Sequence, residues 1–113
     1  MSLLTLDPVF ADPVRLHLAS LLEVEQWCWL GYLRHATGMS QARLARHLRL
    51  LGGANYVVAT KGADSKTWVR LTAWGEQRLD QHLGALDAAV KAAQQFTTQM
   101  RVDEPDWFEV VSR

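Results

Sequence analysis

Three arginines recur at intervals of three residues in the segment SQARLARHLRLL, residues 40–51. They are Arg43, Arg46 and Arg49. Leucines in the same segment follow the i, i+4, i+7 spacing of one apolar helical face, and they are Leu44, Leu48 and Leu51. At roughly 100° per residue the three guanidinium groups lie within roughly 120° of one another, on the other side of the helix. A guanidinium group offers a planar fork of donors that suits phosphate or the guanine edge, so this segment predicts an anion-binding helix.

The charge of the chain is segregated although its formal net charge is zero. Residues 34–70 hold seven cations and one anion, a local net charge of +6, and the two flanking segments carry −3 each. Such a distribution creates a field with a positive pole, which bears on partners and not on fold. The alternative is a basic face that is merely solvated.

Length and composition predict one domain spanning residues 1–113 with a modest core. No apolar run approaches the roughly 18 residues of a membrane span, and the N-terminus lacks a basic leader, so we expect a cytoplasmic protein without membrane contact. The single cysteine, Cys28, excludes an internal disulfide. The four histidines show no metal-ligand spacing, and no phosphate loop or nucleophile elbow occurs. We therefore expect no enzymatic activity, no cofactor and no metal site.

The segments before the arginine helix predict two further helices. Asp12 is a plausible N-cap with Pro13 at the first helical position, so a first helix should span Pro13–Leu22. Its predicted core stripe is Val14, Leu18, Leu21 and Leu22, with Leu16 off it. A second helix should span Trp29–Ala36 and end before Gly38.

The connection into the arginine helix is short. Ser40 precedes the leucine stripe as an N-cap, so the third helix should begin at Gln41. A few residues containing a glycine thus join the second and third helices, which is helix-turn-helix spacing. Gly52 and Gly53 weaken its C-terminal end, and Asn55 suits a left-handed turn.

A β-hairpin should follow the third helix. The segments NYVVAT and TWVRLT are rich in β-branched and aromatic residues and flank the turn formers KGADSK. Lys61 and Lys66 lie at the turn, where lysines suit phosphate contacts. Arg70 continues this cationic edge along the second strand.

A long helix should occupy residues 73–101, because the helical period returns there. Apolar or small residues alternate at spacings of 4 and 3, and they are Leu79, Leu83, Leu86, Val90, Ala93, Thr97 and Met100. A helix of this length exceeds what a domain of this size covers, so we expect part of the seam to form a homodimer interface. The tail, residues 102–113, contains Trp107, Phe108 and Val110, which suggest a segment that docks on protein.

This order of elements, mainly α with a small β-hairpin wing, is a winged helix-turn-helix with a long C-terminal dimerisation helix. Residues 6–90 resemble small bacterial and archaeal winged-helix transcriptional regulators related to the MarR and ArsR groups. The most specific segments are ATGMSQARLARHLRLL, NYV and VRLTAWG. The sequence departs from the pattern at GGAN, where an acidic pair and Ala-Gly are usual, and at DSK, where lysine replaces the wing-tip arginine.

The resemblance implies a homodimeric transcription factor, in our prediction a repressor, that binds double-stranded DNA. Its third helix would enter the major groove through Ser40, Gln41, Arg43, Ala45, Arg46 and His47. Its wing would contact the backbone through Lys61, Ser65 and Lys66, and the cationic pattern adds Arg49 and Arg70 to the predicted DNA-binding residues. Arg49 also suits the helix C-terminus as a complement to the macrodipole, and His47 also suits a partly buried position. The resemblance does not identify a small-molecule effector.

Two further hypotheses come from the same residues. A winged helix that binds protein would use the basic face for an acidic partner, since fold does not imply function. The run Trp27, Cys28 and Trp29 would form either a ligand pocket or thiol switch, or part of the core or of a dimer interface.

Overall fold

The computed structural model describes residues 6–103, which form four α-helices and one three-stranded antiparallel sheet. In chain order the elements are α1 (Pro13–Leu21), β1 (Cys28–Trp29), α2 (Leu30–Thr37), α3 (Gln41–Gly53), β2 (Val57–Lys61), β3 (Thr67–Leu71) and α4 (Ala73–Asp103). The predicted fold class is confirmed, with β1 as an addition. The tail residues Trp107, Phe108 and Val110 lie outside the described residues.

The start of α1 follows from its capping residues. The Asp12 carboxylate accepts hydrogen bonds from the backbone N–H groups of Val14, at 2.8 Å, and Arg15, at 3.3 Å. Pro13 occupies the first turn, where its missing N–H costs nothing. The prediction that Leu16 lies off the core is wrong: Leu16 packs against the core because α1 contacts both α3 and α4, a wider surface than one stripe.

The sheet has the order β1-β3-β2, so β3 is its central strand. The predicted hairpin is confirmed, and its register pairs Val57 with Leu71 and Ala59 with Val69. Val57, Val69 and Leu71 are buried, so this face of the sheet lies on the core. In an antiparallel sheet the alternate residues therefore form the opposite, outer face.

The core lies between the helices and the inner face of the sheet. Its largest fully buried apolar side chains are those of Phe10, Leu18, Leu33, Leu44, Leu51 and Val69. Leu44 and Leu51 belong to the predicted stripe of α3, and Leu48 packs beside them. The arginine helix is thus held to the domain by its leucines.

A buried polar network joins the segment before α1 to the hairpin and to α4. The Tyr56 hydroxyl and Arg78 Nε, the latter at 3.3 Å, both donate to the Asp7 carboxylate, and Val9 N–H donates at 2.9 Å. The Asp7 backbone N–H donates to His82 Nδ1 at 2.9 Å. Burial alone would raise the pKa of Asp7, but these three hydrogen bonds together hold it below its ordinary value. No local sequence pattern indicates this network.

The last helix extends beyond the rest of the domain. With 31 residues, α4 is about 46 Å long, and it begins at Ala73 as predicted. Its first turns pack on the core through Leu79, whereas all of residues 91–100 are exposed. Within residues 6–103, no helix combines the length and the apolarity needed to cross a membrane.

Candidate nucleic-acid interface

A tight turn fixes the direction of α3 relative to α2. Gly38 adopts a left-handed conformation with φ of 70°, and its N–H donates to the Arg34 carbonyl at 2.8 Å, which closes α2. The Ser40 hydroxyl accepts from the Arg43 N–H at 3.2 Å and caps α3. The predicted start of α3 at Gln41 is confirmed, and the connection has helix-turn-helix length.

The outward side of α3 is cationic. The predicted contact residues Ser40, Gln41, Arg43, Arg46 and Arg49 are all exposed, and Ala45 is half-buried. Because Leu44 and Leu51 anchor the opposite side in the core, the guanidinium groups project away from the domain. Such a helix presents donors to a polyanion without disturbing its own packing.

His47 is not part of this exposed face, and its predicted contact with DNA is wrong. Its side chain is only 3% exposed, and a terminal guanidinium nitrogen of Arg15 lies 3.5 Å from its Nδ1. Burial lowers the pKa of His47, the cations of α1 and α3 lower it further, and Asp12 opposes them. The leucine spacing indicates the burial of His47, because position 47 lies three residues after Leu44 and four before Leu51.

The hairpin loop is closed by its own hydrogen bonds. Gly62 N–H donates to the Lys66 carbonyl at 2.9 Å, and the Asp64 carboxylate accepts from the Lys66 N–H at 3.0 Å. Ser65 adopts a left-handed conformation with φ of 65°. Lys61, Ser65 and Lys66 are exposed, so the predicted wing residues lie at the surface of an ordered turn.

Comparison with known proteins identifies the domain. A family model described as winged helix DNA-binding domain matches residues 14–90. The chain belongs to this family. The match covers α1, the helix-turn-helix, the wing and the first part of α4, so the exposed arginines and lysines of this winged helix domain lie on a DNA-binding scaffold.

Solved structures share the fold at low sequence identity. A transcriptional regulator homologue from Pyrococcus horikoshii OT3 is 21% identical with a TM-score of 0.70, covering 75% of this chain and 87% of its own. The adhesin competence repressor from Streptococcus pyogenes is 19% identical with a TM-score of 0.54, covering 94% of this chain and 77% of its own. No curated protein sequence matches the chain.

Strand β1 was missed by the sequence analysis and changes the interpretation of Trp27 and Trp29. Cys28 pairs with Val69 and Trp29 with Trp68, so this segment adds an edge strand to the winged helix domain. Trp27 is 44% exposed and Trp29 is 43% exposed, so they do not fill the core of their own protomer, and the alternative of a dimer interface stays a prediction. Their period-two spacing around Cys28 and their high β-propensity are the signals that indicate a strand.

Cations lie over both of these tryptophans. Lys66 Nζ is 4.3 Å from a ring centroid of Trp29, and the Arg70 guanidinium carbon is 5.1 Å from a ring centroid of Trp27. Both distances are within cation–π range. Lys66 thus contacts β1, and Arg70 contacts the residue that precedes this strand. Both tryptophans lie outside the predicted interface.

The Cys28 thiol has no sign of activation. Burial raises its pKa above the ordinary value, and Sγ lies 3.7 Å from the Trp29 carbonyl oxygen. A redox-sensing cysteine needs a lowered pKa, so this environment favours a packing role over a thiol switch.

The predicted dimer seam of α4 divides into two parts. Leu79 is buried in the core of its own protomer, so its assignment to a dimer interface is wrong. Leu86 is half-buried, whereas Leu83, Val90, Ala93 and Met100 are exposed, and Phe96 adds an apolar side chain that is 68% exposed. The heptad spacing does not separate these groups, because the buried Leu79 and the exposed residues further along α4 belong to one stripe.

Proposed function

We propose that this winged helix protein is a sequence-specific transcriptional regulator of the MarR and ArsR type that binds double-stranded DNA as a homodimer. The observation that carries the proposal is the exposed arginine face of α3 on a domain of the winged helix DNA-binding family. A recognition helix presented by a helix-turn-helix fits the major groove of B-DNA.

The two cationic elements would have different tasks. Arg43 and Arg46 on α3 carry the planar fork that suits guanine O6 and N7, so they are the candidates for base reading. Lys61 and Lys66 on the wing suit backbone phosphates, which fix register without reading sequence. Arg49 stands near the end of α3, where phosphate contact and the macrodipole favour the same charge.

The homodimer is supported by the exposed apolar face of α4. Val90 is 53% exposed and Phe96 is 68% exposed, and all of residues 91–100 are exposed. A second copy of this helix provides the matching apolar surface, and a two-fold dimer presents two recognition helices to a palindromic site. Repression is favoured over activation because one structural neighbour is a repressor.

A comparison of two charge-removing variants tests the base-reading role. Arg46→Ala should weaken binding to a labelled duplex from upstream of the protein's own gene by about 1–3 kcal/mol, with a smaller loss on a scrambled duplex. Lys91→Ala is the matched control, because Lys91 carries the same charge on α4 and pairs with Asp87 at 3.0 Å. Equal losses in both variants on both duplexes would contradict base reading, because the loss of affinity would then reflect net charge alone.

A further inference from the structure

The outer face of the sheet carries an aromatic and cationic surface that the proposed interface leaves unexplained. Paired residues of an antiparallel sheet share a face, so Trp29 lies beside Trp68, and Arg70 lies beside Val58. These residues alternate with the buried Val69 and therefore point away from the core. The exposed Trp29 and the half-buried Trp68 bring apolar area to the surface beside two wing cations.

The Lys66 side chain is held at both ends. Its backbone N–H donates to the Asp64 carboxylate, and its carbonyl accepts from Gly62 N–H, so the loop fixes its Cα. At the other end its ammonium lies over Trp29. Free lysine side chains sample many rotamers, and a lysine anchored at both ends loses less entropy when it binds a phosphate.

Trp29 is itself anchored by the backbone of α2. A Cβ added at Gly31 would lie 2.5 Å from Trp29 Cζ2, so the indole occupies space that only a glycine leaves free. The pairing of Trp29 with Trp68 fixes the other side of the residue in the sheet. The indole is therefore a rigid support for the ammonium group above it.

The contact keeps the cations available to an anion. Among residues 6–100, neither Lys66 nor Arg70 forms a salt bridge with a carboxylate. An indole attracts a cation through its ring quadrupole and leaves the net charge unneutralised. A cation placed on a tryptophan can thus still attract a phosphate, whereas the charge of a cation paired with a carboxylate is neutralised.

We propose that Trp27 and Trp29 are positioning residues for DNA binding, which hold the cationic groups of Arg70 and Lys66 on the outer face of the sheet for contact with backbone phosphates. This inference rests on the proposed function and extends the interface from the wing tip along the sheet to β1. The partner is the phosphate backbone of duplex DNA, so the contact carries no base specificity.

A double-mutant cycle between Trp29 and Lys66 tests the proposal. The full chain is titrated against a labelled mixed-sequence duplex at salt concentrations from about 50 to about 200 mM, because phosphate contacts are independent of sequence. Trp29→Leu should weaken binding by about two- to fivefold with the salt slope unchanged, since Lys66 still reaches its phosphate. Lys66→Met should lower the salt slope by about one. In the Lys66→Met background, Trp29→Leu should have no further effect.

Two variants separate positioning from folding. Trp29→Phe keeps an aromatic face and should restore most of the lost affinity, which a purely structural effect of indole volume would not predict. Trp74→Leu is the matched control, because Trp74 is 49% exposed and belongs to α4 and not to the sheet, and its loss should leave binding unchanged.

The outcomes are distinguishable from failure of the proposed function. An equal loss from Trp29→Leu in both backgrounds overturns the positioning role, because Trp29 then acts independently of Lys66. An unchanged affinity in Trp29→Leu also overturns it, while DNA binding itself stands. A wild-type chain that binds no duplex even at low salt overturns both proposals.

Discussion

Tyr56→Phe removes the hydroxyl that donates to the buried Asp7 carboxylate and leaves the ring in place. The ring continues to stack on Phe10 at a centroid distance of 5.0 Å, so apolar packing is preserved. Asp7 keeps its bonds from Val9 N–H and from Arg78 Nε. A hydrogen bond to a charged group contributes about 1.5–3 kcal/mol, and with two partners retained we expect a loss near 2 kcal/mol.

The size of this loss should depend on pH. The hydrogen bonds hold the pKa of Asp7 below its ordinary value of 3.8, so their contribution to stability is present above that pH and is lost as pH falls through the folded-state pKa. Tyr56→Phe should therefore cost most near neutral pH and less below about pH 4, where a neutral carboxyl group makes a weaker bond.

Urea denaturation of both proteins across this pH range measures the difference in the free energy of unfolding. Tyr32→Phe is the control, because Tyr32 is 52% exposed and should lose less than about 0.5 kcal/mol at any pH. A penalty for Tyr56→Phe that stays constant with pH, or that equals the control, would refute the role assigned to the Asp7 network.

Three further perturbations test the packing at Gly75, the proposed homodimer and the pH dependence of stability. Gly75→Ala should destabilise the domain by about 2 kcal/mol or more in thermal melts, because an added Cβ would overlap the Tyr56 carbonyl group. Val90→Asp should convert the proposed homodimer to a monomer in light scattering, since it places a charge on the exposed apolar face of α4. His47 has a lowered pKa in the fold, so stability should fall as pH drops below about 6.5, and His47→Gln should flatten this dependence in urea titrations.

Each of these three predictions has a control variant or a result that would contradict it. Gly84→Ala meets no atom within 4 Å and should be neutral or stabilising, so equal melting of the two alanine variants would contradict the close approach at Gly75. Gln95→Asp lies on the other side of α4 and should leave the dimer intact, and a dimer that persists in Val90→Asp would place the interface elsewhere. If the pH dependence of stability is unchanged in His47→Gln, a titratable group other than His47 must cause it.

Elements with local signals were predictable from the sequence. The caps at Asp12 and Ser40, the left-handed Asn55, and the turn between the two hairpin strands each act within a few residues, and all were placed correctly. The helix-turn-helix follows from these signals because its connection is short. The exposed arginine face also follows, since the leucine stripe fixes which side of α3 is buried.

Features that depend on distant residues were not predictable. In the Asp7 network, Tyr56 lies 49 residues and Arg78 lies 71 residues after Asp7 in the chain, and no local pattern indicates such contacts. Strand β1 has two residues, and only its pairing with β3 makes it a strand. Leu79 and Val90 belong to one heptad stripe, but Leu79 is buried in the core, whereas Val90 lies beyond the point where α4 extends past the core.

Fluorescence anisotropy of a labelled duplex from upstream of the protein's own gene tests the central claim most directly. The protein is titrated at two salt concentrations against this duplex and a scrambled duplex of the same composition. We expect tight binding that weakens steeply with salt and prefers the native sequence. No binding even at low salt would contradict it, and the arginine face of α3 would then require an acidic protein partner.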